Sequence, residues 1–225
     1  MAPIITQLVI TDGRMLCLER TLASFEVGVN QKHISRRVIV NDCPDPDFGR
    51  WIERTFSFDS HIKTGVNGRA GFAGAIQAGW SAMGATDYVL HLEDDFTLTR
   101  HWPVREVVDV LGEHPRLAQM ALRRQAVNAE EIAAGGIVEC WPDEYRDVTD
   151  RRGRSWLEHR LFFTTNPSIY PLATTRGGWP SGSGSEGQFS LSLFQNPQAV
   201  CGFWGKRADP PWVTHIGEVR TGKGY

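Results

Sequence analysis

The stretch Tyr88-Val89-Leu90-His91-Leu92-Glu93-Asp94-Asp95-Phe96 decides how this chain is read. Its apolar run, Tyr88-Val89-Leu90 with Leu92, predicts a strand buried on both faces. Such strands belong to parallel or mixed sheets covered by helices. Three carboxylates, Glu93, Asp94 and Asp95, follow at the C-terminal end of the strand. Adjacent like charges repel and are costly to desolvate, so they need compensation. A divalent cation would supply it, and hard oxygen ligands suit Mg²⁺ or Mn²⁺. In open α/β sheets ligands sit beyond the carboxyl ends of the strands, where this cluster falls. The alternative is a solvated acidic turn with Asp94 or Asp95 capping the next helix. A long buried strand running straight into the acids favours the metal site.

Upstream of that strand the chain alternates. Residues 4–10 predict a first buried strand, which leads into Thr11-Asp12-Gly13-Arg14. A helix follows with Met15, Leu18, Leu22 and Phe25 on one face. Residues 36–40 predict a second strand ending in Asn41-Asp42, and Asp47 is placed to cap a short helix containing Trp51 and Ile52. Residues 56–62 predict a third strand. The Gly-punctuated loop 64–71 then opens a helix with Phe72, Ile76, Trp80 and Met83 in one stripe, ended by Gly84. This βαβαβαβ order predicts an α/β, doubly wound nucleotide-binding architecture.

Downstream, Trp102-Pro103 opens a helix stopped by Gly112 and Pro115, and residues 117–122 predict another strand. Asn128-Ala129-Glu130-Glu131 matches a capping box for a short helix ending at Gly135-Gly136. Residues 144–163 predict two strands joined through Asp150-Arg151-Arg152-Gly153. The Gly/Ser-rich stretch 176–185 reads as a mobile loop inside the second half. With no linker between the halves, one domain over residues 1–225 is expected: 1–100 as the binding half and 101–225 as the mixed half.

Bulk properties narrow the function classes. Hydrophobic content of 41% and charged content of 22% suit a soluble globular chain. A net charge of −2 argues against sequence-independent nucleic-acid binding, which needs a basic face. No apolar run approaches about 18 residues, so no membrane span is expected. The apolar N-terminal stretch is too short for a signal peptide and lacks a basic leader. Cys17, Cys43, Cys140 and Cys201 have no zinc-type spacing and read as reduced thiols, which points to a cytoplasmic location.

The loops after strands one, two and four should meet in one crevice. They bring Asp12 and Arg14, then Asp42, then the acidic triplet, with Arg69 at the start of a helix. Carboxylates can accept hydrogen bonds from a base and from ribose hydroxyls, while arginine neutralises phosphate. The GxGxxG and GxxxxGK[ST] patterns are absent, which argues against NAD-type cofactors and P-loop chemistry.

On Thr11-Asp12-Gly13-Arg14, Asn41-Asp42, Gly68-Arg69-Ala70-Gly71 and Leu92-Glu93-Asp94-Asp95, the first 100 residues resemble the GT-A glycosyltransferases, especially the family-2-like branch. Glu93-Asp94-Asp95 is similar to the Glu-Asp-Asp form of the metal-binding DxD motif. The resemblance implies a GT-A, Rossmann-like mixed sheet, mostly parallel and flanked by helices. It implies that Asp42 contacts the base, usually uracil, that Glu93 or Asp94 touches ribose or donor sugar, and that Asp95 binds Mn²⁺ or Mg²⁺ beside the diphosphate. The small format is similar to transferases of bacteria and their phages, which implies a glycan or protein acceptor.

The second half can be set against that expectation. Transfer with inversion needs a base for the acceptor hydroxyl. Ser185 with Gln188 fits a capping box, which puts Glu186 in a first helical turn. An acidic residue in that position resembles the base of family-2-like enzymes. His215 is placed like the C-terminal histidine that many GT-A enzymes bring to the metal. Arg220 and Lys223, flanked by glycines, could close over the diphosphate. Trp179 and Trp204, beside glycines in expected loops, are candidates for acceptor stacking. Two other classes compete: a sugar-nucleotide pyrophosphorylase, which usually has a Gly-rich N-terminal loop, and a non-catalytic carbohydrate-binding module, which leaves the strand-end acids unexplained.

Overall fold

Alternation along the first strands explains the architecture. The computed structural model describes residues 2–217. Arg220 and Lys223 lie outside the described residues. The elements in order begin β1 (Ile5–Thr11), α1 (Met15–Gly28), β2 (Arg36–Asn41), α2 (Pro46–Thr55), β3 (Ser60–Lys63), α3 (Gly71–Ser81) and β4 (Tyr88–Glu93). They continue with β5 (Phe96–Leu98), α4 (Val104–Glu113), β6 (Leu117–Ala121), α5 (Ala129–Ala134), α6 (Ile137–Cys140) and β7 (Arg146–Thr149). The last are β8 (Ser155–His159), β9 (Ser168–Pro171), α7 (Ser185–Leu193), β10 (Val200–Trp204) and β11 (Val213–His215).

Among the described residues a nine-stranded sheet runs in the order β3-β2-β1-β4-β9-β6-β10-β8-β7. The four strands β3, β2, β1 and β4 are mutually parallel. β9 inserts antiparallel between β4 and β6, β10 runs parallel to β6, and β8 and β7 each reverse direction in turn. Seven strands therefore point one way, against β9 and β8. The expected mixed, mostly parallel sheet is what forms.

Helices cover both faces because successive side chains alternate. Ile5 and Val9 of β1, Ile39 of β2, and Leu90 and Leu92 of β4 pack with Leu18, Leu22 and Phe25 of α1 and with Val107, Val108 and Leu111 of α4. Leu8, Ile10, Val38, Val40 and Val89 point the other way, onto Ala75, Ile76 and Trp80 of α3 and Phe189 of α7. Continued past β4, this alternation sends neighbouring acids to opposite faces.

Several local expectations are corrected. Asp45, not Asp47, caps α2: its side chain accepts from Asp47 N at 2.8 Å, with Pro46 in the first turn. β3 is four residues long, starting only at Ser60, because Arg37 N and O pair with Asp59 rather than with an extended strand before it. Gly112 lies within α4, whose last residue is Glu113. Trp179 and Trp204 are buried, 7% and 6% exposed. Trp179 stacks on Phe189, their ring centroids 5.0 Å apart, and its Nε1 donates to Ser185 Oγ at 2.9 Å. Glycine neighbours made these two look like loop residues, but both serve the core.

Candidate active site

The C-terminal ends of β1, β2 and β4 open onto a cavity of about 360 Å³. Its lining includes Asp12, Arg14, Asp42, Arg69 and Glu93 from the first half, with Ser183 from the second. The parallel strands bring together side chains far apart in sequence. Asp12, Arg14 and Asp42 sit just past strand ends and Glu93 ends β4, where the backbone turns and polar groups can leave the core, while Arg69 and Ser183 come from the segments that precede α3 and α7.

Asp42 secures the floor. Its Oδ1 accepts from Thr64 Oγ1 at 2.7 Å and from Ala70 N at 2.8 Å, and Oδ2 accepts from Gly71 N at 2.9 Å. One carboxylate thus fixes the loop that starts α3 and neutralises donors at that helix end. Arg69, beside it, reaches back to Asp12, with Nη1 3.4 Å from Oδ2.

Strand alternation separates Glu93 from Asp94. Asp94 falls on the α1 side and is completely buried. Its Oδ2 accepts from Thr11 Oγ1 at 2.6 Å, its Oδ1 binds Arg14 Nη2, and its carbonyl accepts from Thr21 Oγ1 at 2.8 Å. Burial pushes its pKa up to about 6, against the pull of Arg14 and Thr11. As a contact to ribose or sugar, Asp94 is therefore a correction: its oxygens are occupied inside the protein, and it does not line the cavity. It frames the turn that presents its neighbours.

Glu93 falls on the opposite side, towards α7, and does line the cavity. Its Oε1 is buried with no hydrogen-bond partner among the described residues. Burial, then the negative charges of Asp95 and Glu186, drive its pKa well above the ordinary carboxylate range. Asp95 behaves differently. Although burial works against ionisation, hydrogen bonding from His215 and the Arg14 charge hold its pKa below the usual value. His215 Nε2 donates to Asp95 Oδ2 at 2.9 Å, and Ile216 N donates to the Asp95 carbonyl at 2.8 Å. Gln125 grips the backbone of His215 through both its N–H and its carbonyl, at 2.8 and 3.0 Å. The pairing of β11 with β5 delivers this segment to the acids. Asp95 and His215, expected together from the sequence, do meet.

Glu186 lies in the first turn of α7, as expected, but the capping box is a correction. Gly184 takes the cap position in a left-handed conformation, φ 70°, with no side-chain cap bond. Ser185 is turned inward to Trp179, and the Gln188 side chain donates to the Ser183 carbonyl at 3.4 Å. Glu186 Oε1 instead accepts from Thr165 N at 2.8 Å and from Thr165 Oγ1 at 3.2 Å. Burial raises its pKa above the ordinary carboxylate range. Sequence reading missed Thr165 and Thr11. Thr11 could have been found from its place at a strand end beside Asp12, whereas nothing local marks Thr165.

The donor set can be tested against a divalent cation. No group of three or more His, Cys, Asp or Glu side chains converges as a ready-made cage among the described residues. Asp95 Oδ1, however, is buried without a hydrogen-bond partner, as is Glu93 Oε1. Two orphaned carboxylate oxygens, one on the cavity-lining Glu93 and one on Asp95 just beyond it, fit a cation held by one or two carboxylates and completed by substrate phosphates. His215 stands next to Asp95. The residues fit.

The fold is that of the GT-A glycosyltransferases. No family model matches the sequence, and no curated protein does. Among solved structures, GalNAc-T7 with UDP, GalNAc and Mn²⁺ superposes with a TM-score of 0.67 at 12% identity, over 97% of this chain and 45% of that one. A mannosyltransferase from Pyrobaculum calidifontis in complex with GDP-Man and Mn²⁺ gives 0.61 at 12% identity, over 98% of this chain and 59% of the other. S. aureus TarS in complex with UDP-GlcNAc also gives 0.61 at 12% identity, over 96% and 59%. The chain thus spans 45% to 59% of the length of these three chains.

Proposed function

We propose that this chain is a metal-dependent, family-2-like glycosyltransferase that moves a sugar from a UDP-sugar to an acceptor hydroxyl, with inversion at the anomeric carbon. The observation that carries this reading is the cavity at the strand ends, lined by Glu93 with its unpartnered Oε1, with the unpartnered Oδ1 of Asp95 buried two residues beyond it. Structures of the same fold that hold UDP or GDP-Man with Mn²⁺ support it. The site class comes from chemistry rather than from fold alone, because one fold hosts many activities.

In this reading Glu93-Asp94-Asp95 plays the part of the DxD motif. Asp95 and His215 hold the cation, Mn²⁺ being preferred over Mg²⁺ where an imidazole takes part. Bound there, the cation offsets the charge that develops on the departing diphosphate. Glu93 meets ribose or the donor sugar, and Asp42 faces the base from the cavity floor while holding the 64–71 loop. Asp12, Arg14 and Arg69 supply the polar wall along the phosphates, with Arg220 and Lys223 assigned to the diphosphate from the C-terminal segment. Glu186 is the base that takes the acceptor proton. Its Thr165 bonds fix Oε1, and its raised pKa keeps it basic enough to accept that proton.

The acceptor is a glycan or protein hydroxyl, bound on the side formed by residues 101–225. The whole chain works as one GT-A-like domain in the cytoplasm of a bacterium or for its phage. Among the described residues no helix is long and apolar enough to cross a membrane. The direct experiment incubates the purified chain with UDP-sugars and Mn²⁺ and measures released UDP. Mn²⁺-dependent UDP release that Asp95→Asn abolishes is expected. Release of pyrophosphate, or sugar binding indifferent to nucleotide and metal, would contradict the assignment.

A further inference from the structure

Arg14 stands at the centre of the acidic tip. It ends the β1 loop at the cap position of α1, so its backbone is anchored while its side chain crosses the acids. Nη2 binds Asp94 Oδ1, Nη1 binds Asp95 Oδ2, and Nε lies 3.0 Å from Asp12 Oδ1. Three carboxylates from two loops are thus drawn onto one guanidinium. Asp95 Oδ2 is shared, since His215 Nε2 also donates to it. Gly217 closes this pair from outside: a Cβ there would lie 2.2 Å from Asp95 Oδ2 and 2.9 Å from Arg14 Nη1. Only a residue without a side chain lets the backbone pass so close.

The consequence is a competition. The carboxylate that the proposed cation needs already holds a permanent positive charge at Oδ2, and only Oδ1 is open. A guanidinium and a divalent ion on one carboxylate, in a site this dry, repel strongly. The acids cannot dispense with compensation either, because burial without a counter-charge would force them to take up protons. The loop therefore has to hold one cation or the other.

Building on the cation site proposed above, we infer that Arg14 is an internal counter-ion that occupies Asp95 in the nucleotide-free protein and leaves it for the diphosphate when metal and nucleotide arrive together. The metal alone must drive Arg14 off Asp95 and leave Nη1 without an equal partner, while Nη2 and Nε keep Asp94 and Asp12. A diphosphate offers that partner, since the arginine fork binds phosphate oxygens in pairs. Metal and nucleotide are in this way coupled through a residue belonging to neither ligand. Arg14 is a positioning residue for the cation site, and it penalises empty-handed metal binding.

The test is a titration of Mn²⁺ alone, then of Mn²⁺ with saturating UDP, followed by the free-ion electron paramagnetic resonance signal. Arg14→Gln is expected to bind Mn²⁺ without nucleotide at least tenfold more tightly than the wild type. The gain in affinity on adding UDP should shrink by a similar factor. Because Arg14→Gln leaves Asp94 buried without its counter-charge, an Arg14→Gln/Asp94→Asn double variant removes both charges together. It should still bind Mn²⁺ alone several-fold more tightly than the wild type. Mn²⁺ affinity unchanged or weakened in both variants, with the wild type responding normally to UDP, overturns the role of Arg14 and leaves the cation site standing. A wild type that takes up no Mn²⁺ even with UDP overturns the cation site and this inference together.

Discussion

Two acids set into the sheet of this chain, Glu158 and Glu93, show opposite solutions to one problem. Glu158, on β8 near the far edge of the sheet, is 2% exposed and fully partnered. Its Oε1 accepts from Trp156 Nε1 at 3.0 Å and binds Arg116, while its Oε2 binds Arg146. Burial pushes its pKa up, but these partners win and hold it below the ordinary value. Glu93, on β4, is only partly buried but keeps a buried, orphaned Oε1, and its pKa is driven well up. A protein that can satisfy Glu158 so completely has the means to satisfy Glu93. In the proposed reading the open oxygen of Glu93 is kept for a ligand, as active sites collect perturbed carboxylates and structural ion pairs quench them.

The contrast predicts opposite responses to mutation. At the strand tip, Asp95→Asn should cut sugar transfer about a thousandfold, equivalent to roughly 4 kcal/mol of transition-state stabilisation. Its melting temperature should fall only modestly, because the lost carboxylate is one that Arg14 and His215 hold ionised, while Arg14 keeps Asp94 and Asp12 as counter-charges. Glu186→Gln should lower kcat by about 10²- to 10⁴-fold while leaving donor affinity near the wild-type value, as expected for loss of a general base. Single-turnover kinetics separate the two terms. Glu158→Ala should do the reverse, costing about 2–3 kcal/mol of stability in chemical denaturation with turnover kept at permissive temperature. The figure stays below that for a fully buried triad, because the Arg146 side chain is 65% exposed and can return to water. Activity lost in Glu158→Ala below its melting transition would erase the distinction.

The pH dependence sharpens the same comparison. Glu186 must be ionised to act as a base, and burial raises its pKa. The acid limb of kcat/KM should therefore lie above the ordinary carboxylate range and disappear from the profile in Glu186→Gln. Stability follows different groups. His91 and His159 are pushed down to about 3 by burial, so the folded state keeps them neutral while the unfolded chain takes up protons below about 6.5. Their contribution is therefore lost as pH falls from about 6.5 towards 3, which equilibrium unfolding across that window would record.

How much was legible from sequence follows from where the information sits. β1, α1, β2, α3 and β4 carry their periodicity within a few residues, and the Asn128 cap of α5 is a local pattern that the structure reproduces, with Asn128 Oδ1 accepting from Glu131 N at 2.8 Å. The insertion of β9 between β4 and β6 has no local signature, because it is set by pairings across some 50 to 80 residues. The site divides in the same way. Asp12, Arg14, Asp42 and Glu93 could be expected in one crevice because parallel strands end on one side. That Asp94 turns away follows from alternation, which the motif pattern alone ignored. The Thr165 bonds to Glu186 depend on the 163–165 segment passing along α7, and Ser185 is drawn from the cap role by its bond to Trp179.

A cation-dependent nucleotide site at the tip of β4 is tested most directly by calorimetric titration of UDP with and without Mn²⁺. Binding that requires Mn²⁺ in the wild type and is lost in Asp95→Asn is the predicted result. UDP binding of equal strength with or without Mn²⁺, or unchanged by Asp95→Asn, would contradict it.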